Sequence, residues 1–238
     1  MIRVGVAGAA GRMGEAVCAA VRSASDMELV GRADPQLDVT LARMLERDRP
    51  EVVVDFTRPD TVVENALACL RIGAHVVIGT TGFDLDALAE RARATAAQTP
   101  QGGPANVFVA PNFAIGAVLM MRFAAEAAKH MRKAEIIEFH HDRKLDAPSG
   151  TAARTARLMA DATGGEPAGG IPIHSVRLPG IVANQEVILG DVGQTLSIRH
   201  DTTGRDSFMP GVLLAVRGVR TLARTPMVGL EHLLLEDD

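Results

Sequence analysis

The sequence has no tryptophan and no tyrosine, and aromatic residues make up only 3% of its 238 positions. The core must therefore be built from Ala, Val, Leu, Ile and Met, and there are few rings on which nucleic-acid bases could stack. Lysine is almost as scarce. Of 25 cationic residues, all but Lys129, Lys133 and Lys144 are arginine. The formal charge of -4 gains little from counterion release on a polyphosphate, so nucleic acid is not an expected partner. There are two cysteines, Cys18 and Cys69, which share no motif and sit in apolar helical patterns. They read as buried free thiols in a reducing compartment. No apolar run approaches membrane-spanning length. The first residues run as a strand into a glycine turn, unlike the basic start and long apolar stretch of a leader. No membrane is expected, and the cytoplasm is the expected location.

What the sequence does contain is apolar periodicity. Hydrophobic residues make up 47%, enough for a sizeable core. Short apolar runs at Ile2–Ala7, Met27–Gly31, Glu51–Phe56, His75–Ile78 and Val107–Ala110 alternate with helical spacing at Arg12–Ser23, Leu37–Arg47, Thr61–Ile72 and Asp84–Ala97. Near-continuous apolar strands between helices predict a parallel α/β sheet covered on both faces. The rhythm changes after Pro111. A long helix is expected over Ile115–Met131, a strand over Ala134–Phe139 and a helix over Ser149–Ala162. A loop at Gly164–Pro172 leads to strands at His174–Arg177, Ile181–Leu189 and Thr195–His200, and a final helix covers Pro210–Leu222. Gly190–Gly193 reads as a hairpin connection. This second half is α+β with an antiparallel or mixed sheet.

Gly8-Ala9-Ala10-Gly11-Arg12-Met13-Gly14 lies between the first strand and the first helix. Glycines there let the backbone turn sharply and approach a pyrophosphate, and the helix start offers free N–H groups. The spacing is G-x-x-G-x-x-G, not the commoner G-x-G-x-x-G. Asp34, at the end of the second strand, can accept hydrogen bonds from ribose hydroxyls. That favours NADH over NADPH, and Pro35 follows where an arginine could hold a 2′-phosphate; Arg12 and Arg32 keep NADPH open. Gly79, Thr80 and Thr81 follow the fourth strand, and Ala110, Pro111, Asn112 and Phe113 follow the fifth. Ligands in such sheets bind at the carboxyl ends of strands, so both segments are candidates for the nicotinamide side.

The reactive side chains concentrate between Glu138 and Ala152. His140, His141 and Lys144 lie within five residues in a loop leaving a strand. Histidine can give or take a proton near neutrality, and lysine can pair with a carboxylate or donate a proton. Adjacent histidines on an extended segment point to opposite sides. On chemistry alone, two solvated loop histidines account for the segment equally well. Ser149-Gly150-Thr151 opens a helix, with Ser149 as a natural cap and the helix start as an anion site. A zinc pair is not expected, because His140 and His141 lack i, i+4 spacing, and Ser149 lacks the surroundings of a nucleophile elbow.

Glu138-Phe139-His140-His141 through Asp146-Ala147-Pro148-Ser149-Gly150-Thr151-Ala152 resembles the E-x-H-H-x-x-K-x-D-A-P-S-G-T-A signature of the dihydrodipicolinate reductase family. The resemblance extends to Gly8–Gly14, Asp55-Phe56-Thr57, Gly79–Phe83, Ala110–Ala114 and Phe208–Val212, in order along nearly the whole chain. Val109–Val118 looks most like actinobacterial members. The resemblance implies a Rossmann-type dinucleotide-binding domain over 1–110, with 212–238 returning to it, and an α+β substrate and tetramerisation domain over 111–211. It implies reduction of a cyclic imine dicarboxylate by NADH or NADPH in a homotetramer. It implies cofactor contacts at Gly8, Ala9, Ala10, Gly11, Arg12, Met13, Asp34, Gly79, Thr80, Thr81, Ala110, Pro111, Asn112 and Phe113. His140 would give and take a proton, Lys144 would donate one, and His141, Gly150 and Thr151 would hold the substrate. Two rival functions remain: an aspartate-dehydrogenase-like oxidoreductase, disfavoured by the His-His-x-x-Lys segment, and a non-catalytic dinucleotide sensor, disfavoured by Lys144.

Overall fold

A computed structural model describes residues 1–96, 105–165 and 170–234. The expected helix end at Ala97, the middle of the Gly164–Pro172 loop and the last four residues lie outside these. The chain divides into two units, Met1–Phe113 with Phe208–Asp238, and Ala114–Ser207. The boundaries expected from sequence were 110/111 and 211/212.

In the first unit, strands β1 (Ile2–Ala7), β2 (Met27–Ala33), β3 (Val52–Asp55), β4 (His75–Ile78) and β5 (Val107–Val109) alternate with helices α1 (Arg12–Ser23), α2 (Leu41–Asp48), α3 (Val62–Arg71) and α4 (Leu85–Ala96). With β10 (Met227–Val228) from the end of the chain, the sheet order is β10-β5-β4-β3-β1-β2, every pair parallel. Val52 to Val54 and Val76 to Ile78 are essentially without solvent contact, as strands covered on both faces must be. Cys18 and Cys69 are buried free thiols, and burial pushes both thiol pKa values up.

Two local differences from the sequence pattern have clear causes. Helix α2 begins at Leu41, not Leu37. Asp34 accepts the Gln36 N–H and starts a tight turn over Pro35–Leu37, and Thr40 then caps α2 by accepting the Arg43 N–H at 3.2 Å. Strand β10 (Met227–Val228) joins the edge of β5. Two residues are too short a run to show a period.

The second unit holds α5 (Ile115–Ala128), β6 (Lys133–His140), α6 (Gly150–Ala162), β7 (Ile173–Arg177), β8 (Ala183–Asp191) and β9 (Gln194–Thr202). Its sheet is mixed, in the order β7-β6-β8-β9, with β6 and β7 parallel and the other pairs antiparallel. The β8–β9 hairpin is tighter than expected. Asp191 pairs with Gln194, so only Val192 and Gly193 turn the chain, with Gly193 at φ +73°. Ile136, Val187 and Leu189 are fully buried and pack with Ala152 and Met159 of α6. The chain re-enters the first unit and forms α7 (Met209–Gly218) and the short α8 (Glu231–Leu234).

Candidate active site

The first unit gathers its candidate residues along one edge, because every parallel strand ends there. Gly8 follows β1 at φ +75°, and a Cβ on it would stand 2.6 Å from the Phe56 carbonyl oxygen. Gly14 lies in the first turn of α1, where a Cβ would stand 2.0 Å from the Gly8 carbonyl oxygen. Only glycine permits this approach of turn, helix and neighbouring strand. Gly11, the N-cap of α1, has no side chain to satisfy the helix N–H groups. The first turn of α1 is therefore suited to an anion.

Asp34, buried at 8% exposure, accepts the Ala10 N–H at 3.1 Å and the Gln36 N–H at 2.8 Å. It braces the glycine turn against the end of β2, and a carboxylate has acceptor capacity beyond two bonds. Thr80, after β4, is buried with its hydroxyl lacking a partner. A buried polar atom left without a bond is costly, so this hydroxyl suits a ligand that supplies one. Thr81, Gly11 and Arg12 are exposed at the same strand ends, and Ala9 and Ala110 are buried. The Phe113 ring is buried against Phe56, with centroids 5.8 Å apart, so that segment offers its backbone and Asn112, not the Phe113 ring. The edge fits a dinucleotide: a glycine cradle, an uncapped helix start, a placed acid and an unbonded hydroxyl.

Between these strand ends lies a residue the sequence pattern did not mark as functional. Asp55, 1% exposed, accepts bonds from the Thr57 N–H and hydroxyl and from the Asn65 amide. Burial pushes its pKa up. It pins the turn after β3, against which the glycine turn packs.

In the second unit, β6 delivers Glu138 and His140 to the face covered by helices, while His141 is exposed. Glu138 is fully buried, and its carboxylate is held by four contacts from three residues. Arg177 donates to Oε1 at 2.7 Å and to Oε2 at 2.9 Å, the Ser149 N–H donates at 3.2 Å, and His140 Nδ1 lies 2.5 Å from Oε2. Burial alone would push the Glu138 pKa up. The bonds from Arg177, Ser175 and His140 outweigh it and bring it to about 2. An ionised carboxylate can only accept, so His140 carries its proton on Nδ1. Nε2 is then the nitrogen left for proton exchange. Burial also pushes the His140 pKa down, with Glu138 opposing that shift.

Lys144 donates to both carboxylate oxygens of Asp146, at 2.7 Å each. Ser149 caps α6 by accepting the Ala152 N–H at 3.2 Å, leaving Gly150 and Thr151 in the first turn. His140, Lys144, Gly150 and Thr151 thus belong to one strand–loop–helix segment. Glu138 opens the signature read from the sequence but had no role assigned to it, and Arg177 is a partner that the sequence pattern did not single out. Among the described residues, no group of three or more His, Cys, Asp or Glu is placed to hold a metal ion, and no helix is long and apolar enough to cross a membrane.

A parallel sheet whose carboxyl edge suits a dinucleotide, joined in one chain to a unit with a poised imidazole, defines a class: the NAD(P)-dependent oxidoreductases. Comparison with known proteins narrows it. Profiles described as dihydrodipicolinate reductase, N-terminus and C-terminus, match residues 2–113 and 116–234. The chain belongs to the dihydrodipicolinate reductase family. It is 47% identical over 250 residues to the 4-hydroxy-tetrahydrodipicolinate reductase of Mycolicibacterium smegmatis, covering 98% of this chain and 99% of that protein. It is 49% identical over 253 residues to the enzyme of the same name from Thermobifida fusca, again covering 98% and 99%. A dipicolinate-bound dihydrodipicolinate reductase from Paenisporosarcina sp. TG-14 superposes with a TM-score of 0.83 at 37% identity, covering 98% of this chain and 99% of that one. An amine dehydrogenase from Mycobacterium smegmatis, at 14% identity and a TM-score of 0.64, shares the fold alone.

Proposed function

We propose that the protein reduces 4-hydroxy-tetrahydrodipicolinate to tetrahydrodipicolinate, a step toward diaminopimelate and lysine, in the cytoplasm. The observation that carries the reading is the free Nε2 of His140, fixed by a buried carboxylate on the segment that also bears Lys144 and the α6 start.

The roles divide between the units. In the first, the turn from Gly8 to Gly11 brings a pyrophosphate close to the backbone and to the N–H groups of Arg12 and Met13 at the start of α1, Asp34 receives the adenosine ribose, and Gly79 to Thr81 with Ala110 to Phe113 border the nicotinamide. Asp34 followed by Pro35 favours NADH over NADPH, since a 2′-phosphate would meet like charge. A nicotinamide bound there would supply a hydride to the ring of the cyclic imine dicarboxylate, whose 4-hydroxyl leaves as water, so that one hydride and one proton balance the reduction. In the second unit, the N–H groups of Gly150 and Thr151 and the exposed His141 hold one substrate carboxylate. Lys144 exchanges Asp146 for substrate and donates a proton, and His140 gives or takes one at Nε2. The sheet face opposite the helices, with Ile137, Phe139 and Ile188, supports assembly into a homotetramer.

The test is a coupled assay with dihydrodipicolinate synthase, pyruvate and aspartate semialdehyde, following NADH and NADPH oxidation separately. Oxidation that needs every component, and runs faster with NADH, is expected. Oxidation with an amino-acid partner instead would favour the aspartate-dehydrogenase-like reading. Binding of NADH without oxidation would favour the sensor.

A further inference from the structure

We infer that Glu138 and Arg177 are a positioning pair, which fixes His140 with Nδ1 as donor and Nε2 as the exchanging nitrogen and ties down the loop carrying Lys144. The inference rests on the reading of His140 and Lys144 given under the proposed function.

The geometry is specific. β6 and β7 run parallel in a register that sets His140 opposite Arg177 and Glu138 opposite Ser175. Arg177 therefore meets the Glu138 carboxylate with two N–H arms, at 2.7 and 2.9 Å. The arm at 2.7 Å also donates to the Asp146 carbonyl at 2.8 Å. One guanidinium thus grips both the carboxylate that orients His140 and the backbone two residues beyond Lys144. Lysine has no such fork.

Stability alone does not explain the pair. Buried ion pairs often contribute no more than apolar replacements of the same volume. This one brings a full negative charge to Nδ1 of a half-buried histidine. The charged groups facing His140 are Glu138 on its own strand, Arg177 on β7 and Lys144 on the following loop. Burial, Lys144 and Arg177 all favour the neutral ring, and Glu138 opposes them. Removing the charge of Glu138 leaves only groups that push the His140 pKa down.

The experiment uses the whole protein and Glu138→Gln, His140→Gln, the double variant, and Arg177→Lys as a gentler change. The readouts are ¹⁵N signals of His140, the pH profile of kcat/KM, and KM for NADH. In the wild type, His140 is expected as a single tautomer with the proton on Nδ1. Glu138→Gln is expected to mix the tautomers, move the His140 limb of the profile to lower pH and lower kcat on the order of 10²-fold, with KM for NADH unchanged. In the His140→Gln background it should cause no further loss, because the two act as a unit. Arg177→Lys is expected to lower kcat roughly 10-fold while the protein stays folded; should Glu138→Gln not fold, this variant carries the test.

An unchanged tautomer and pH limb in Glu138→Gln, with His140→Gln inactive, would overturn the positioning role and leave the proposed function standing. An equal loss from Glu138→Gln with or without His140 would make its role structural and overturn the inference. Wild-type turnover by His140→Gln would strike the proposed role of His140 itself, and the inference with it.

Discussion

Each unit buries a carboxylate at the carboxyl end of a central strand, and the two are held in opposite ways. Asp55, on β3, is surrounded by neutral donors from Thr57 and Asn65, and burial pushes its pKa up. Glu138, on β6, meets the Arg177 fork, and its pKa is brought down to about 2. Asp55 closes a turn within ten residues of chain. Glu138 is reached by a cation 39 residues away and in turn holds a histidine. The same burial thus yields a local staple in the unit that suits a cofactor and a charged, oriented imidazole in the unit that suits a substrate. The first unit works through backbone geometry, and the second through charged side chains brought together by sheet register.

Four changes would sharpen or break this division. Lys144→Ala removes the proposed proton donor from the second unit and should lower turnover by roughly 10²- to 10⁴-fold, with NADH affinity nearly unchanged in a binding titration. Normal turnover would remove Lys144 from the mechanism. Gly14→Ala acts on backbone geometry alone. Its Cβ would fall 2.0 Å from the Gly8 carbonyl oxygen, and displacing that turn should weaken NADH by about 10- to 100-fold while the second unit is untouched.

Asp34→Ala is expected to weaken NADH by about 10-fold and NADPH by less, since the proposed partner of the lost acceptor is the 2′-hydroxyl that NADPH lacks. The reverse order in paired titrations would contradict the ribose assignment. The last comparison concerns how the two buried carboxylates change stability with pH. The Glu138 pKa in the folded protein, about 2, lies below its ordinary value of 4.5. Its ion pair therefore contributes stability that is full above that ordinary value and lost as pH falls toward 2. Asp55, with its pKa raised, has the opposite sign: its ionisation costs stability as pH rises. Denaturant unfolding of the wild type and Glu138→Gln across acid pH should show a shallower acid loss in the variant. Equal slopes would mean that the pair does not depress the Glu138 pKa.

The contrast also explains what could be read from the sequence. The first sheet was legible because its strands are covered on both faces and so are nearly continuous apolar runs. Its candidate cofactor residues could be marked because Gly8 and Asp34 follow strands and Gly14 lies in the first turn of α1, where such a fold brings backbone to a ligand. The start of α2 was misjudged because Asp34 and Pro35 build a tight turn that carries apolar Leu37 outside the helix. Strand β10 was missed because Met227 and Val228 form it only by lying beside β5. In the second unit, His140 and Lys144 stood out as scarce residue types in one short segment. Arg177 did not, because arginine is common in this chain and only the parallel register of β6 and β7 brings it to Glu138.

The most direct test follows the two atoms that the units are proposed to supply. NADH carrying deuterium at both positions of nicotinamide C4 is oxidised in the coupled system, and the product is weighed by mass spectrometry. One deuterium on the product ring is expected, with the second hydrogen drawn from solvent. A reduced product without cofactor deuterium, or oxidised cofactor without that product, would contradict the account.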